Sequence, residues 1–354
     1  MNYIDKYIKY KNKYLRLKND IKINQKGGYL ENIEIIKELG KGMHGTVYLV
    51  KDISNNKYAM KVEQIFEKDL IKTTKSPVWR EIEFANTMSE KYPQQFMKIY
   101  KYENKKCDYV HELSEDKWKS LTPKVEEYYR ELFSSPYCSI KLTSIVDNML
   151  HNILYKITDK KIILDLFIQV VNIAYLINKE GYYHRDFHPK NIGVIHTTEK
   201  TIKILDYDIP THDYLLQAIN YGMVIHKKYE LDEYEKADLD NNDLHINFYK
   251  IVFKIMLKNM TDKYPEKNIN EIVPISNKDA ELLTPYLKNF RNKEFDYFQE
   301  LLYKIVFFDK FQEQLAIDKK VELFDFIPLD TVKFIVKNYY DLEKILKHLI
   351  KLRE

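Results

Sequence analysis

Glycine is scarce in this chain, eight residues in 354. That excludes collagen-like and glycine-rich low-complexity proteins. It also gives weight to each glycine kept, because glycine serves where φ is positive or where a backbone must approach a ligand. Cysteine numbers two, Cys107 and Cys138. Two cysteines make no disulfide framework and no zinc cluster, so an intracellular, reducing compartment is expected. Neither sign of charge dominates: Lys+Arg is 57 against Asp+Glu 53, a net +4. A dedicated nucleic-acid binder carries a larger basic excess, so no nucleic-acid partner is expected. A long unbroken apolar run is also missing. The longest, Ile162 to Ile177, is interrupted by Asp165, Gln169 and Asn172, and reads as an amphipathic helix with no membrane span. Asp5, Lys6 and Lys9 interrupt any apolar core near the start, so no secretory signal is expected.

Tyrosine, by contrast, is abundant at 30. With the many Ile, Lys and Asn, this is the usage of an AT-rich genome. The length suits a two-lobed enzyme with extensions. In residues 1–28, Tyr3, Tyr7, Tyr10, Tyr14, Leu17 and Ile21 repeat at helical spacing among lysines, and Gly27-Gly28 closes this basic, Tyr-rich leader. Ile33 to Ile36, Thr46 to Val50 and Lys57 to Val62 read as strands. Val78 to Glu90 reads as a helix. Met97 to Tyr102 and Tyr137 to Thr143 read as further strands, with a polar insertion over about 111–135. From Lys160 onward the pattern is mainly helical, with short strands near 192–219. Strands first and helices afterwards predicts an α+β chain of two segregated lobes.

Three constellations carry chemistry. The first is Gly40-Lys41-Gly42-Met43-His44-Gly45-Thr46-Val47, set between two strand patterns. A dinucleotide fold would place such a run before a helix. Strand, glycine loop, strand is the order that covers nucleotide phosphates in kinases. The second is Lys61, sixteen residues after Gly45. A strand lysine that holds phosphates needs a carboxylate partner, and Glu81 on the next helix is the choice, with Glu83 as fallback. The third is Tyr183-His184-Arg185-Asp186-Phe187-His188-Pro189-Lys190-Asn191. Its H-R-D-x-x-x-x-N spacing makes Asp186 the acceptor of a hydroxyl proton and Asn191 an amide oxygen donor to a metal ion.

These ordered motifs resemble the eukaryotic-type protein kinase family over about residues 33–260. The resemblance implies a bilobal protein kinase fold, with a β-rich N-lobe over 30–144 and a helical C-lobe over 145–354 that ends in a helical extension. It implies ATP, Mg²⁺ (or Mn²⁺) and γ-phosphoryl transfer to hydroxyls of a protein substrate, with Ser/Thr as the expected acceptors. Gly40, Lys41, Gly42, Met43, His44, Gly45, Thr46, Val47 and Lys61 would bind nucleotide. Asp186, Lys61 and Glu81 would be catalytic.

Departures from the family pattern leave alternatives. His188 stands two residues after Asp186, where Ser/Thr kinases usually have lysine, a form similar to haspin-like kinases and to small-molecule phosphotransferases. For the second metal position, Asn220 in Asn220-Tyr221-Gly222 competes with Asp206 in Asp206-Tyr207-Asp208. Neutral Asn220 would hold Mg²⁺ less tightly than a carboxylate, which keeps a catalytically weak pseudokinase scaffold in play. No A-P-E motif follows, and Asp243 is expected at the start of a central helix. Between Gly222 and Asp243 there is no Ser or Thr, while Glu230, Asp232, Glu233 and Glu235 offer carboxylates to Arg185. The leader and the AT-rich usage resemble proteins of large nucleocytoplasmic DNA viruses, mimivirus-like, which implies host cytoplasm or virion.

Overall fold

A computed structural model describes residues 33–154, 156–157, 159–187, 189–231, 235–236, 331, 334–335, 338 and 341–354. The leader over 1–28, His188, Asp232, Glu233, Asp243 and nearly all of 265–340 lie outside the described residues. The chain is α+β, and its contacts divide it into two compact units. One comprises the residues up to Glu90 with Met97–Ile145; the other comprises Lys91–Phe96 and the residues from Val146 on.

The first unit is built on a five-stranded antiparallel sheet. Its strands are β1 (Glu34–Lys41), β2 (Gly45–Lys51), β3 (Lys57–Ile65), β4 (Ile99–Lys106) and β5 (Tyr137–Thr143), in the order β1-β2-β3-β5-β4. Alternation decides what each face holds. Tyr48, Val50, Met60, Val62, Cys138, Ile140 and Leu142 form one apolar core. The residues between them point the other way. Val47, Lys61 and Lys141 stand opposite one another in register across β2, β3 and β5. Helix α1 (Pro77–Lys91) buries Val78, Ile82, Phe84, Ala85 and Met88 together with Arg80 and Glu81.

The polar insertion is folded. It carries α2 (Glu115–Lys119), capped by Ser114, and α3 (Pro123–Ser134), which opens on a proline suited to a first turn. Leu113, Tyr129, Leu132 and Phe133 make a second small core, against which Met43, Phe66, Trp118 and Leu121 pack. Gln64 ties the insertion at both ends. Its Nε2 donates to the carbonyls of Phe133 (2.8 Å) and Ser135 (2.9 Å), and its Oε1 accepts from the His111 amide (2.7 Å).

Cys107 and Cys138 are joined as a disulfide, with Cα atoms 5.9 Å apart. The pairing follows from register. Lys105 lies opposite Cys138, and Cys107, two residues on, falls on the same face. Disulfides persist in oxidising surroundings, so cysteine usage no longer supports a reducing compartment.

In the second unit, β6 (Asn148–Met149) leads into α4 (Leu150–Leu154) and then α5 (Lys160–Lys179). Asp159 caps α5 by accepting from the amides of Lys161 and Ile162. By length and composition Lys161–Lys179 could cross a membrane, but here most of it is buried. The last helix, α6 (Leu342–Arg353), packs along it with Leu342, Ile345, Leu346, Leu349 and Ile350 buried. Asp165, buried on α5, pairs with His212 (2.7 Å) and with Arg353 (2.6 Å). Gly181 ends the α5 turn at φ +79°, a conformation that glycine alone adopts without strain. Next come β7 (Tyr182–Tyr183), β8 (Ile192–His196), β9 (Thr201–Ile204), β10 (Tyr207–Pro210), β11 (Tyr214–Ala218) and β12 (Ile225–His226). They form three small sheets, β11-β8-β6, β10-β9 and β12-β7.

The glycines of the β1–β2 hairpin differ in their physical demands. A Cβ on Gly45 would lie 2.3 Å from the Val62 carbonyl oxygen and 2.9 Å from the Glu63 Cβ, whereas one on Gly40 would meet nothing within 4 Å. Gly45→Ala is therefore expected to lower the unfolding free energy by about 1–3 kcal/mol, and Gly40→Ala to change it by less than about 0.5 kcal/mol. Urea unfolding of both variants checks this; equal losses would refute it.

Candidate active site

In the first unit, Lys61 projects from β3 among buried carboxylates. Its Nζ lies 2.7 Å from Glu63 and 3.4 Å from Glu81. Lys141, on β5, donates to the same two carboxylates. The expected partner Glu81 is thus in contact with Lys61, while Glu83 is exposed on the outer side of α1. Glu63 and Lys141 escaped the sequence reading. The signal was there: Lys141 sits between Ile140 and Leu142 in an apolar strand, and a lysine held in such a strand needs a buried partner. Burial alone would raise the Glu63 carboxyl, but Lys141 and then Lys61 outweigh it and hold it down at about 2. Burial likewise opposes the charge on Lys61, and Glu63 and Glu81 reverse the effect and raise it above the ordinary lysine range.

The glycine hairpin closes with the Gly42 amide donating to the Gly45 carbonyl (2.9 Å). Lys41 and His44 are exposed. Met43 packs on the core of the insertion, and the His44 ring lies 5.6 Å from that of Tyr129. Thr46 is buried and shares a 2.8 Å hydrogen bond with the Tyr109 hydroxyl. Tyr109 contacts His111 Nδ1 at 2.8 Å, and His111 Nε2 lies 3.1 Å from the Gly42 carbonyl. A carbonyl only accepts, so Nε2 carries the proton and Nδ1 accepts from Tyr109. The insertion thereby holds the tip of the glycine hairpin, a role for Tyr109 and His111 that no motif signalled.

In the second unit, Asn191 Nδ2 donates to the Asp186 carbonyl (2.8 Å) and to Asp186 Oδ2 (2.7 Å). Asn220 Nδ2 donates to Asn191 Oδ1 (3.1 Å). Asp186, Asn191 and Asn220 thus form one cluster. Asp206 does not join it, being exposed in the turn between β9 and β10. Short steps in left-handed backbone shape this region, with φ +61° at Arg185 and +60° at Asn220. Tyr221 is fully buried beside them. Arg185 reaches Glu235 at 3.7 Å. Among the described residues no group of three or more His, Cys, Asp or Glu side chains could hold a metal ion. The oxygen donors here are one carboxylate and two amides.

No model of a known protein family matches this sequence, and no curated protein matches it. The geometry of the two clusters therefore stands by itself.

The burial of His111 sets a pH dependence. Burial, and then nearby Lys41, push its imidazole from the ordinary 6.5 down to about 4. Between those values the unfolded chain binds a proton that the folded unit refuses, so stability rises with pH in that window and falls on acidification. Moving from pH 7 to pH 5 is expected to cost up to about 2 kcal/mol through this residue. Denaturant unfolding at both pH values should show a larger loss for wild type than for His111→Gln; identical losses would show that His111 is not the group responsible.

Proposed function

We propose that the chain is an ATP-dependent protein kinase of the bilobal kinase fold, with Ser/Thr hydroxyls as acceptors. The pairing of Lys61 with Glu81 carries this reading. It joins a strand lysine beside a glycine hairpin to a helix carboxylate twenty residues away, at 3.4 Å. The glycines add support. Gly40 and Gly42 have no positive φ, and a Cβ would meet nothing nearer than 3.8 Å at either. Neither backbone nor packing explains glycine there, whereas close approach of a phosphate does.

In this reading Gly40, Gly42 and their neighbouring amides receive the phosphates of ATP, and Lys61 neutralises their charge. Glu81 keeps the Lys61 side chain extended. Asp186 accepts the proton of the attacking hydroxyl, with its carboxylate oriented by the hydrogen bond from Asn191 to Oδ2. Asp186, Asn191 and Asn220 would hold Mg²⁺ or Mn²⁺ through oxygen donors, as hard cations require. Such an ion neutralises developing charge on the transferred phosphoryl group. The donor set fits a divalent cation but supplies a single carboxylate, so binding would be weak. Asn220 is proposed over Asp206 because Asn220 bonds Asn191.

That same contact favours a second reading, a catalytically weak pseudokinase that binds ATP as a scaffold. An amide at Asn220 donates to Asn191 Oδ1 where a carboxylate would repel it.

Transfer of radiolabelled γ-phosphate to generic proteins, with Mg²⁺ or Mn²⁺, separates these readings. Asp186→Ala is expected to lower turnover by roughly 10²–10⁴-fold while leaving the fold intact. Wild-type turnover no greater than that of the variant, with ATP still bound, would give the scaffold reading. Asn220→Asp is expected to lower the Mg²⁺ concentration for half-maximal activity roughly tenfold, since an added carboxylate tightens a divalent site. An inert Asn220→Asp together with an inactive Asp206→Ala would move the metal position to Asp206.

A further inference from the structure

Lys61, Glu63, Lys141 and Glu81 form a group of four alternating charges. Glu63 and Glu81 each touch both Lys61 and Lys141. Their exposure is unequal: the Lys61 side chain is 20% exposed, that of Lys141 only 1%. Glu63 and Glu81 are buried with Lys141. Lys61 is thus the member of the group most open to an arriving anion, and Lys141 balances the interior.

The charge count shows what that balance does. Lys61 with two carboxylates carries −1 in total and would repel a polyphosphate. Lys141 brings the group to zero. It also occupies one oxygen of each carboxylate, so neither is wholly committed to Lys61. Within a poorly solvated cluster such a unit change in charge acts strongly on an approaching anion.

We propose that Lys141 is a positioning residue that sets the anion affinity of Lys61, and that Glu63 opposes it. The inference rests on the kinase reading for the identity of the anion, the polyphosphate of a nucleotide. Lys141 touches no substrate atom; it acts through the two carboxylates. The stronger pull of Lys141 than of Lys61 on the Glu63 carboxyl agrees with this.

Removing Lys141 alone leaves a buried uncompensated carboxylate and could unfold the unit. Three variants keep the test decisive: Glu63→Gln, Lys141→Met, and the charge-balanced double variant Lys141→Met/Glu63→Gln. Binding of ATP and of adenosine to the full chain is measured by calorimetry at fixed salt, and folding is checked by thermal unfolding. Adenosine carries no phosphate, so a merely structural defect weakens both ligands alike. Glu63→Gln is expected to tighten ATP about fivefold with adenosine unchanged. Lys141→Met, where folded, should weaken ATP at least tenfold relative to adenosine, and the double variant should return to within about threefold of wild type. The inference is overturned if Glu63→Gln leaves the ATP-to-adenosine ratio unchanged, or if the double variant stays as weak as Lys141→Met. Wild type that binds neither ligand would overturn the kinase reading, and this inference with it. Wild type that binds both, with an unaltered ratio in every folded variant, overturns this inference alone.

Discussion

Two lysines and two carboxylates taken out of water together constrain the whole first unit. An ammonium or carboxylate buried alone is prohibitively costly, and each survives here because two opposite charges meet it. The arrangement demands that β3 and β5 keep register, so that Lys61 stands opposite Lys141. It demands that α1 present Glu81 to the sheet. A slip of one residue in either strand would carry a lysine to the apolar face with Met60, Val62, Ile140 and Leu142. The apolar core and the charged cluster thus specify the same register from opposite faces.

The insertion between β4 and β5 is held in the same manner, by polar groups that leave no choice of partner. Gln64 is committed to the backbone of Phe133, Ser135 and His111. His111 reaches back to the Gly42 carbonyl. The tip of the glycine hairpin is therefore backed by folded structure, and its backbone conformation is supported before any ligand arrives. Under the proposed function that is preorganisation, which reduces what a bound phosphate must order.

Local pattern made much of the fold legible. Alternation marked the strands containing Thr46 to Val50, Lys57 to Val62 and Tyr137 to Thr143, and β2, β3 and β5 lie there. The helix expected over Val78 to Glu90 differs from α1 by one residue at each end. Asp186 and Asn191, read from one motif, are in contact five positions apart in a tight loop, a meeting that the motif reading did not state. The strand expected at Met97 begins at Ile99 and runs on to Lys106. Two helices in the insertion escaped notice, since short polar segments have weak periodicity.

Chain chemistry by itself determined the strands β2, β3 and β5, the helix α1, the glycine hairpin, and the presence of Lys61, Glu81, Asp186 and Asn191 at spacings that permit a site. Tertiary structure decided which groups meet. The joining of Cys107 to Cys138, the sharing of Glu63 and Glu81 by Lys141, the meeting of Arg185 with Glu235 and the placing of Asn220 instead of Asp206 beside Asn191 all depend on register or on backbone turns. Periodicity along a chain says which way a side chain points within its own element. It does not say what stands opposite, because that depends on distant segments brought together by burial of their apolar faces.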